Sequence, residues 1–252
     1  MKIICRYNKE LDRFLKKVVR YTLNKYGQGL NLSRLEVIEL KDISEFELMT
    51  DGRCMDETSI VVTSRLYDVL PSYDIRKLKK NKDFKMIVNT LHHELGHISD
   101  WTSYPSIYKY GSEMDDAKKG LPALFWLEFL AEKRSFDTGE VDKTDFCNQF
   151  VECKWQPYKC DFEHCSTENF FYLNKTLPYF IVGISKKDAW EYYMNRINNS
   201  ILVSYITELT EELRRLEQML PFDDIDKLSK LYQIMNDYYK QFKTEYAPKF
   251  FK

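Results

Sequence analysis

Three of the four histidines in this chain fall within residues 92–97. Two of them, His93 and His97, are four positions apart, so on an α-helix both imidazoles can bind the same metal ion. Glu94 lies beside that ligand face, where its carboxylate can hold a water molecule and act as a general base. His92 is rotated by about 100° from His93 around the helix axis, so we predict that it is not a metal ligand. The spacing therefore predicts a metal centre on this segment.

The residues around the histidines have the pattern of an amphipathic helix. Apolar residues recur at helical spacing and form one stripe: Phe84, Ile87, Val88, Leu91, Leu95 and Ile98. His93 and His97 project from nearly the opposite side, so they could instead be only the solvent-facing side of this helix. Gly96 costs about 1 kcal/mol relative to alanine in the middle of a helix. We therefore expect close packing or a close backbone approach at Gly96.

A second predicted helix supplies carboxylates for the same centre. Catalytic zinc usually has three protein ligands and one open position. Glu128 lies among bulky apolar residues, where a carboxylate is costly to bury unless it is paired or binds metal, and it is the predicted third ligand. Glu132 lies one turn later and can accept the remaining ring N–H of a ligand histidine. Asp100 is predicted to be a hydrogen-bond partner of His97 or a surface residue.

An alternative interpretation of the second helix needs no metal. Glutamates are common on solvated helix faces. In that interpretation four residues only form the wet face of the helix: Glu128, Ala131, Glu132 and Ser135.

The motif HHELGH at 92–97, followed about thirty residues later by ExxAE at 128–132, resembles the gluzincin metallopeptidases. The chain is most similar to the ImmA/IrrE type of small bacterial and phage-associated metallopeptidase, over roughly residues 35–136. This sequence departs from the family pattern because Glu132 replaces the usual asparagine or aspartate. The apolar segment ending in proline that the family has after the second helix is also missing.

The resemblance implies a zincin-like fold with zinc as the cofactor. It assigns three zinc ligands and one general base: His93, His97 and Glu128 as ligands, and Glu94 as the base. Such a site hydrolyses peptide bonds, because the general base takes a proton from the attacking water and delivers it to the departing amine. The expected substrate is therefore a protein or peptide.

Two further features of the site are open. The oxyanion needs an additional donor, and three tyrosines are candidates by their proximity in sequence: Tyr104, Tyr108 and Tyr110. The predicted strand at 58–63 could pair with an extended substrate backbone. A competing hypothesis is a non-catalytic metal-binding sensor or interaction protein on the same scaffold, and a third is a helix-rich protein without metal.

Four of the six cysteines fall within nineteen residues. Clustered soft ligands suggest a second metal site, with these candidate ligands: Cys147, Cys153, Cys160, Cys165 and His164. The spacing does not match a CxxC zinc knuckle, so we favour free thiols over a metal site or disulfides.

Composition excludes several classes of protein. The 252 residues are 44% hydrophobic, enough to bury one large core or two modest ones. The 38 basic and 39 acidic residues nearly cancel, which gives no global electrostatic case for binding nucleic acid or an anionic membrane. The N-terminal residues lack the apolar region of a signal peptide, and no apolar run is long enough to span a bilayer. These features predict a cytoplasmic protein.

The N-terminal part alternates helical and strand patterns. Residues 9–26 have the spacing of a helix. Residues 35–40 and 58–63 are typical of strands, the second of them antiparallel to a neighbour. Asp51-Gly52 is a turn signal, and the basic segment 71–81 predicts a helical connection.

The sequence pattern after residue 81 predicts mostly helix. Residues 102–120 show no period and predict a loop, and Pro122 is suited to the first turn of the helix that follows. Two long helical patterns near the C-terminus are separated by Pro221. We therefore expect an α+β protein with a small, mainly antiparallel sheet in a zincin-like domain, residues 1–140. Residues 141–252 form a Cys- and aromatic-rich segment and a helical region, either a second domain or a second lobe, which could bind a protein partner or dimerise.

Overall fold

The computed structural model describes most of the chain. The described residues are 1–5, 9–42, 51–113, 116–152 and 167–246. They form an α+β structure, as the sequence predicts. The chain divides into two compact units. The first unit comprises Met1–Ser103 with Leu130–Val141, and the second comprises Tyr104–Phe129 with Asp142–Lys252.

The described part of the first unit contains a mixed four-stranded sheet with the order β1-β2-β4-β3. Its strands are β1 (Lys2–Cys5), β2 (Val37–Lys41), β3 (Gly52–Asp56) and β4 (Ser59–Thr63). β2 is parallel to both β1 and β4, whereas β3 and β4 are antiparallel. The predicted mainly antiparallel sheet is therefore wrong. Helix α1 (Lys9–Tyr26) connects β1 to β2, and such a crossover returns the chain in the same direction, which gives a parallel pair.

The predicted turn at Asp51-Gly52 does not include Gly52, which is the first residue of β3. The chain reverses direction after β3. The Asp56 carboxylate accepts hydrogen bonds from the backbone N–H and the hydroxyl of Thr58, both at 2.7 Å. An aspartate side chain that bonds two residues ahead stabilises a tight turn without a glycine.

Three helices follow the sheet in the first unit. They are α2 (Arg65–Asp68), α3 (Ile75–Leu78) and α4 (Lys82–Ser103). The predicted helical connection is thus helical only over α3, whose N-terminus is capped by the Asp74 side chain, an acceptor for the Arg76 N–H. α4 carries the histidine motif.

The core of the first unit lies between the sheet, α1 and α4. It is formed by buried apolar side chains from all three: Leu11, Phe14, Leu15, Val18, Val19, Ile38, Leu40, Ile60, Val62, Phe84, Ile87, Val88, Leu91, Leu95 and Ile98. The predicted apolar stripe of α4 belongs to this set and is confirmed. Burial of each such side chain contributes about 1.5–3 kcal/mol, so the sheet fixes one face of α4 firmly.

Residues predicted to form a loop after α4 are mostly helical. α5 spans Pro105–Glu113. The Asp223 carboxylate accepts hydrogen bonds from the first backbone N–H groups of this helix, at 2.9 Å from Ser106 and 3.1 Å from Ile107. The loop prediction is wrong because this cap comes from a residue distant in sequence, where local pattern gives no sign of it.

The long helix α6 spans Ala117–Asp137. The side chain of Asp116 accepts a hydrogen bond from the Lys118 N–H at 3.0 Å and so caps the helix. Pro122 therefore lies inside α6 rather than in its first turn, which corrects the predicted start. α6 continues without a break through Glu128 and Glu132, so helix geometry fixes the spacing of these two carboxylates.

The second unit is helical in its described residues. Its further elements are α7 (Thr144–Val151), α8 (Thr167–Gly183), α9 (Lys187–Met194), α10 (Ser200–Gln218), a 3-10 turn (Ile225–Leu228) and α11 (Ser229–Tyr246). α10 and α11 confirm the two long helices predicted on either side of Pro221. Among the described residues, no helix is both long and apolar enough to cross a bilayer.

Glu140 ties the end of α1 to the segment after α6 within the first unit. Its Oε1 accepts hydrogen bonds from Lys25 Nζ at 2.6 Å and from the Tyr26 hydroxyl. Burial acts to raise the pKa of Glu140, but these two hydrogen bonds outweigh it and hold the pKa below its usual value of 4.5. A carboxyl with a lowered pKa stabilises the fold above the unfolded-state pKa, and this contribution is lost as the pH falls through the folded-state pKa.

Replacing Glu140 with Gln is expected to lower the free energy of unfolding at neutral pH by about 1 kcal/mol, because solvent screens the half-exposed Lys25. The difference from the wild type should shrink as the pH falls below the usual glutamate pKa and vanish once Glu140 is protonated in the folded protein. Urea denaturation across this range measures it. Glu36→Gln removes the same charge from an exposed position and is the control. A difference that stays constant with pH would contradict the account.

Candidate metal centre

The segment of α4 that carries the histidines is buried, and its polar side chains are buried with it. His92, His93, Glu94 and His97 are between 4% and 8% exposed. The alternative in which the histidines are the solvent-facing side of the helix is therefore wrong. Buried polar side chains are costly unless they find partners, so the arrangement of these groups requires a physical account.

Glu132 on α6 orients His93. The Nδ1 atom of His93 lies 3.1 Å from Oε2 of Glu132, whose side chain is 1% exposed. An ionised Glu132 carboxylate only accepts hydrogen bonds, so it favours the tautomer of His93 with the proton on Nδ1, in which Nε2 carries a lone pair. The predicted role of Glu132, to accept the second ring N–H of a ligand histidine, matches this contact.

The alternative in which this face of α6 is exposed to solvent is wrong for three of its four residues. Ala131, Glu132 and Ser135 are at most 1% exposed, and only Glu128 among the four residues is half-buried. These side chains lie in the interior, where the carboxylate of Glu132 needs a partner such as His93.

The two histidines predicted as ligands point their Nε2 atoms at each other. The distance between His93 Nε2 and His97 Nε2 is 3.1 Å. Two nitrogens bound to one tetrahedral zinc ion at about 2.0–2.1 Å would be roughly 3.3 Å apart. The ligand atoms of His93, His97 and Glu128 all lie within 4.8 Å of one another. These three residues can therefore hold a metal ion, and two nitrogens with one carboxylate oxygen are a donor set that suits zinc.

The carboxylate of Glu128 has its own anchor. Its Oε2 accepts a hydrogen bond from the Tyr179 hydroxyl of α8 at 2.8 Å. Sequence analysis did not identify Tyr179, because it lies 51 residues from Glu128 and no local pattern links the two.

Glu94 lies directly against the first residue of β3. A β-carbon built at Gly52 would be 2.9 Å from Glu94 Cγ, 3.0 Å from Glu94 Oε1 and 2.9 Å from Thr90 Cγ2. These distances are too short for carbon, so any side chain at position 52 would displace Glu94 or Thr90. The glycine thus lets the sheet approach the predicted general base closely.

Among the described strands, β3 rather than β4 is at the end of the sheet, beside Glu94. β4 is paired on both sides, with β2 and with β3. The expectation that the strand at 58–63 pairs with an extended substrate is therefore wrong, because both of its edges are occupied within the sheet.

Gly96 lies at a close approach between α4 and α6. A β-carbon built at Gly96 would be 3.3 Å from a guanidinium nitrogen of Arg134 and 3.4 Å from Cα of Ala131. The close packing predicted from this mid-helix glycine is confirmed. It brings the backbone of α4 near the α6 segment that carries Glu132.

Asp100 pairs with Arg134 next to this approach. The Asp100 side chain is fully buried and accepts a hydrogen bond from Arg134 Nη1 at 2.8 Å, while Arg134 Nη2 donates to the Gly96 carbonyl at 3.3 Å. Burial raises the pKa of Asp100, and the guanidinium opposes that rise. The predicted surface position of Asp100 is wrong, and Arg134 is a partner that the sequence analysis did not identify.

His92 has a structural contact. Its Nε2–H donates to the Tyr26 carbonyl at 3.2 Å. Burial lowers the pKa of His92 to about 4, so the ring is neutral near pH 7 and suited to this single donated bond. His92 therefore joins α4 to the end of α1. As predicted, it is not one of the three residues that could hold the metal ion.

The three tyrosines predicted as oxyanion donors lie on α5 or directly before it. Tyr108 is buried on α5, Tyr104 precedes that helix, and Lys119 Nζ lies 4.8 Å from the centre of the Tyr110 ring. Their role as oxyanion donors stays a prediction.

The predicted cysteine cluster is only partly within the described residues. Cys147 is a buried free thiol, and burial raises its pKa to about 12, which disfavours the thiolate that binds metal. The other members, Cys153, Cys160, His164 and Cys165, lie outside the described residues.

Comparison with protein-family models, with curated proteins and with solved structures gave no match to this chain. The resemblance to ImmA/IrrE-type metallopeptidases therefore stays a prediction. Function has to be inferred from the chemistry of the site.

The wild-type protein is expected to bind one zinc ion per chain, and His97→Ala should weaken binding by more than 100-fold. Removing a ligand costs more than removing a group that supports a ligand, for which 10–100-fold is typical. Metal analysis after dialysis and competition with a chromophoric chelator measure the effect. His92→Gln is the matched control, because His92 donates to the Tyr26 backbone carbonyl. This variant should be less stable than the wild type and should bind zinc with the same affinity. Equal zinc affinity of wild type and His97→Ala would contradict the assignment.

Glu132→Gln keeps an acceptor beside His93 but removes its negative charge. We expect about a tenfold loss of zinc affinity, since the carboxylate raises the basicity of the ligand imidazole. The same chelator competition measures it, and thermal denaturation of the metal-free variant reports any separate loss of stability. An unchanged affinity would show that the contact between Glu132 and His93 is structural only.

Proposed function

We propose that this chain is a zinc-dependent endopeptidase that hydrolyses peptide bonds in a protein or peptide substrate. The observation that carries the proposal is the convergence of His93 and His97, whose Nε2 atoms are 3.1 Å apart on a buried helix. Glu94 adjoins this pair in sequence and is itself buried. A structural histidine pair would need neither the neighbouring carboxylate of Glu128 nor a second carboxylate behind His93.

In this proposal His93, His97 and Glu128 hold the zinc ion. A zinc ion held there supplies Lewis acidity, which polarises a carbonyl oxygen and acidifies water. Glu132 keeps the Nδ1 proton of His93 in place, so that Nε2 of His93 stays available as a ligand.

Glu94 moves the proton. As water attacks the scissile carbonyl carbon, the Glu94 carboxylate accepts a proton from that water. It then gives the proton to the amide nitrogen as the C–N bond breaks, which leaves a free amine and a carboxylic acid and restores Glu94 to its ionised form. Gly52 supports this role because it leaves room for the Glu94 side chain against the sheet.

Glu94→Gln is expected to abolish peptide hydrolysis and to keep zinc binding, because Glu94 is not a ligand. General-base catalysis contributes about 10²–10⁴-fold, so the rate should fall by at least that factor. Incubation of zinc-loaded protein with a random-sequence peptide library, with cleavage read by mass spectrometry, measures it.

Glu36→Gln, an exposed substitution of the same kind, is the control for the Glu94 variant. Cleavage that persists in Glu94→Gln would contradict the proposed base. A zinc-loaded wild type that cleaves no peptide would instead favour a metal-binding sensor or interaction protein.

A further inference from the structure

Tyr179 is a polar group that the proposed reaction does not use, although it bonds to a proposed zinc ligand. Its hydroxyl donates to Oε2 of Glu128 at 2.8 Å. Both residues belong to the second compact unit, so this contact is internal to that unit. The hydrogen bond restricts rotation of the Glu128 carboxylate, which is only half-buried.

We propose that Tyr179 is a positioning residue that fixes the Glu128 carboxylate for zinc binding. This inference rests on the metal centre of the proposed function. A carboxylate that is hydrogen-bonded through one oxygen presents its other oxygen in a defined direction. Partners behind a metal ligand act in this way, because they lower the cost of ordering the ligand when the ion binds.

The Tyr179 ring is itself held in place. The ring of Phe146, on α7, packs against it with the centroids 6.2 Å apart. The ammonium group of Lys143 lies 5.6 Å from the centre of the same ring, within the range of a cation–π interaction. Side chains around α7 therefore fix the tyrosine, and the tyrosine in turn fixes Glu128.

A purely structural role for Tyr179 is the alternative to be tested. A tyrosine hydroxyl beside a half-buried carboxylate stabilises a fold whether or not a metal binds. The chain contains a second such pair for comparison, because Tyr238 donates to Oε1 of the exposed Glu208 at 2.8 Å within the second unit. Glu208 is not among the proposed ligands, so loss of the Tyr238 hydroxyl reports the structural effect alone.

The test compares Tyr179→Phe with Tyr238→Phe in the full chain. Zinc affinity is measured by competition with a chromophoric chelator, and thermal denaturation is measured on both metal-free proteins. We expect Tyr179→Phe to weaken zinc binding by about 10–100-fold, the usual effect of losing a partner behind a metal ligand. Tyr238→Phe should leave zinc affinity unchanged, while both variants lose similar thermal stability.

A double-mutant cycle tests whether Tyr179 acts through Glu128. In a Glu128→Ala background, Tyr179→Phe should cause no further loss of zinc affinity, because the group it positions is absent. The absorption spectrum of the cobalt-substituted protein should also change in Tyr179→Phe and not in Tyr238→Phe, since the coordination geometry changes only in the first.

The outcomes separate this inference from the proposed function. A wild-type protein that does not bind zinc would overturn the metal centre and the role of Tyr179 with it. If the wild type binds zinc and the zinc affinity of Tyr179→Phe equals that of Tyr238→Phe, only the positioning role is overturned. Additive losses from Tyr179→Phe and Glu128→Ala would equally contradict it.

Discussion

The close approach of two imidazole nitrogens inside the protein is the constraint on which the rest of the site depends. His93 Nε2 and His97 Nε2 are 3.1 Å apart, and both rings are nearly excluded from solvent. If both nitrogens carry lone pairs they repel, and at most one proton can lie between them. A cation between the rings would satisfy both nitrogens at once, so the pair, together with Glu128, could hold a metal ion.

The charges around this pair lead to the same conclusion. Four carboxylates belong to the site or adjoin it: Glu94, Asp100, Glu128 and Glu132. Arg134 supplies one positive charge and bonds to the deeply buried Asp100. Buried charges need compensation, and a divalent cation held by His93, His97 and Glu128 would add positive charge beside these carboxylates.

Local spacing in the sequence predicts the elements of the site well, and long-range contacts are what it misses. The four-residue steps from His93 to His97 and from Glu128 to Glu132 place each pair on one helix face, and the structure has both helices. The burial of the histidines could not be read from the sequence, because polar residues on one side of a helix look the same whether they face water or a second helix. The cap on α5 from Asp223, the ion pair of Arg134 and the bond from Tyr179 each join residues far apart in the chain. Strand direction was missed for a similar reason, since it is set by the crossover through α1 rather than by alternation within a strand.

X-ray absorption at the zinc edge, on full-length protein loaded with one equivalent of zinc, tests the central claim most directly. The account predicts a first shell of two imidazole nitrogens and a carboxylate oxygen at about 2.0–2.2 Å, with no sulfur. Sulfur scatterers at about 2.3 Å would contradict it, because they would place the ion on cysteines rather than on α4 and α6. Failure of the protein to retain zinc would contradict it equally.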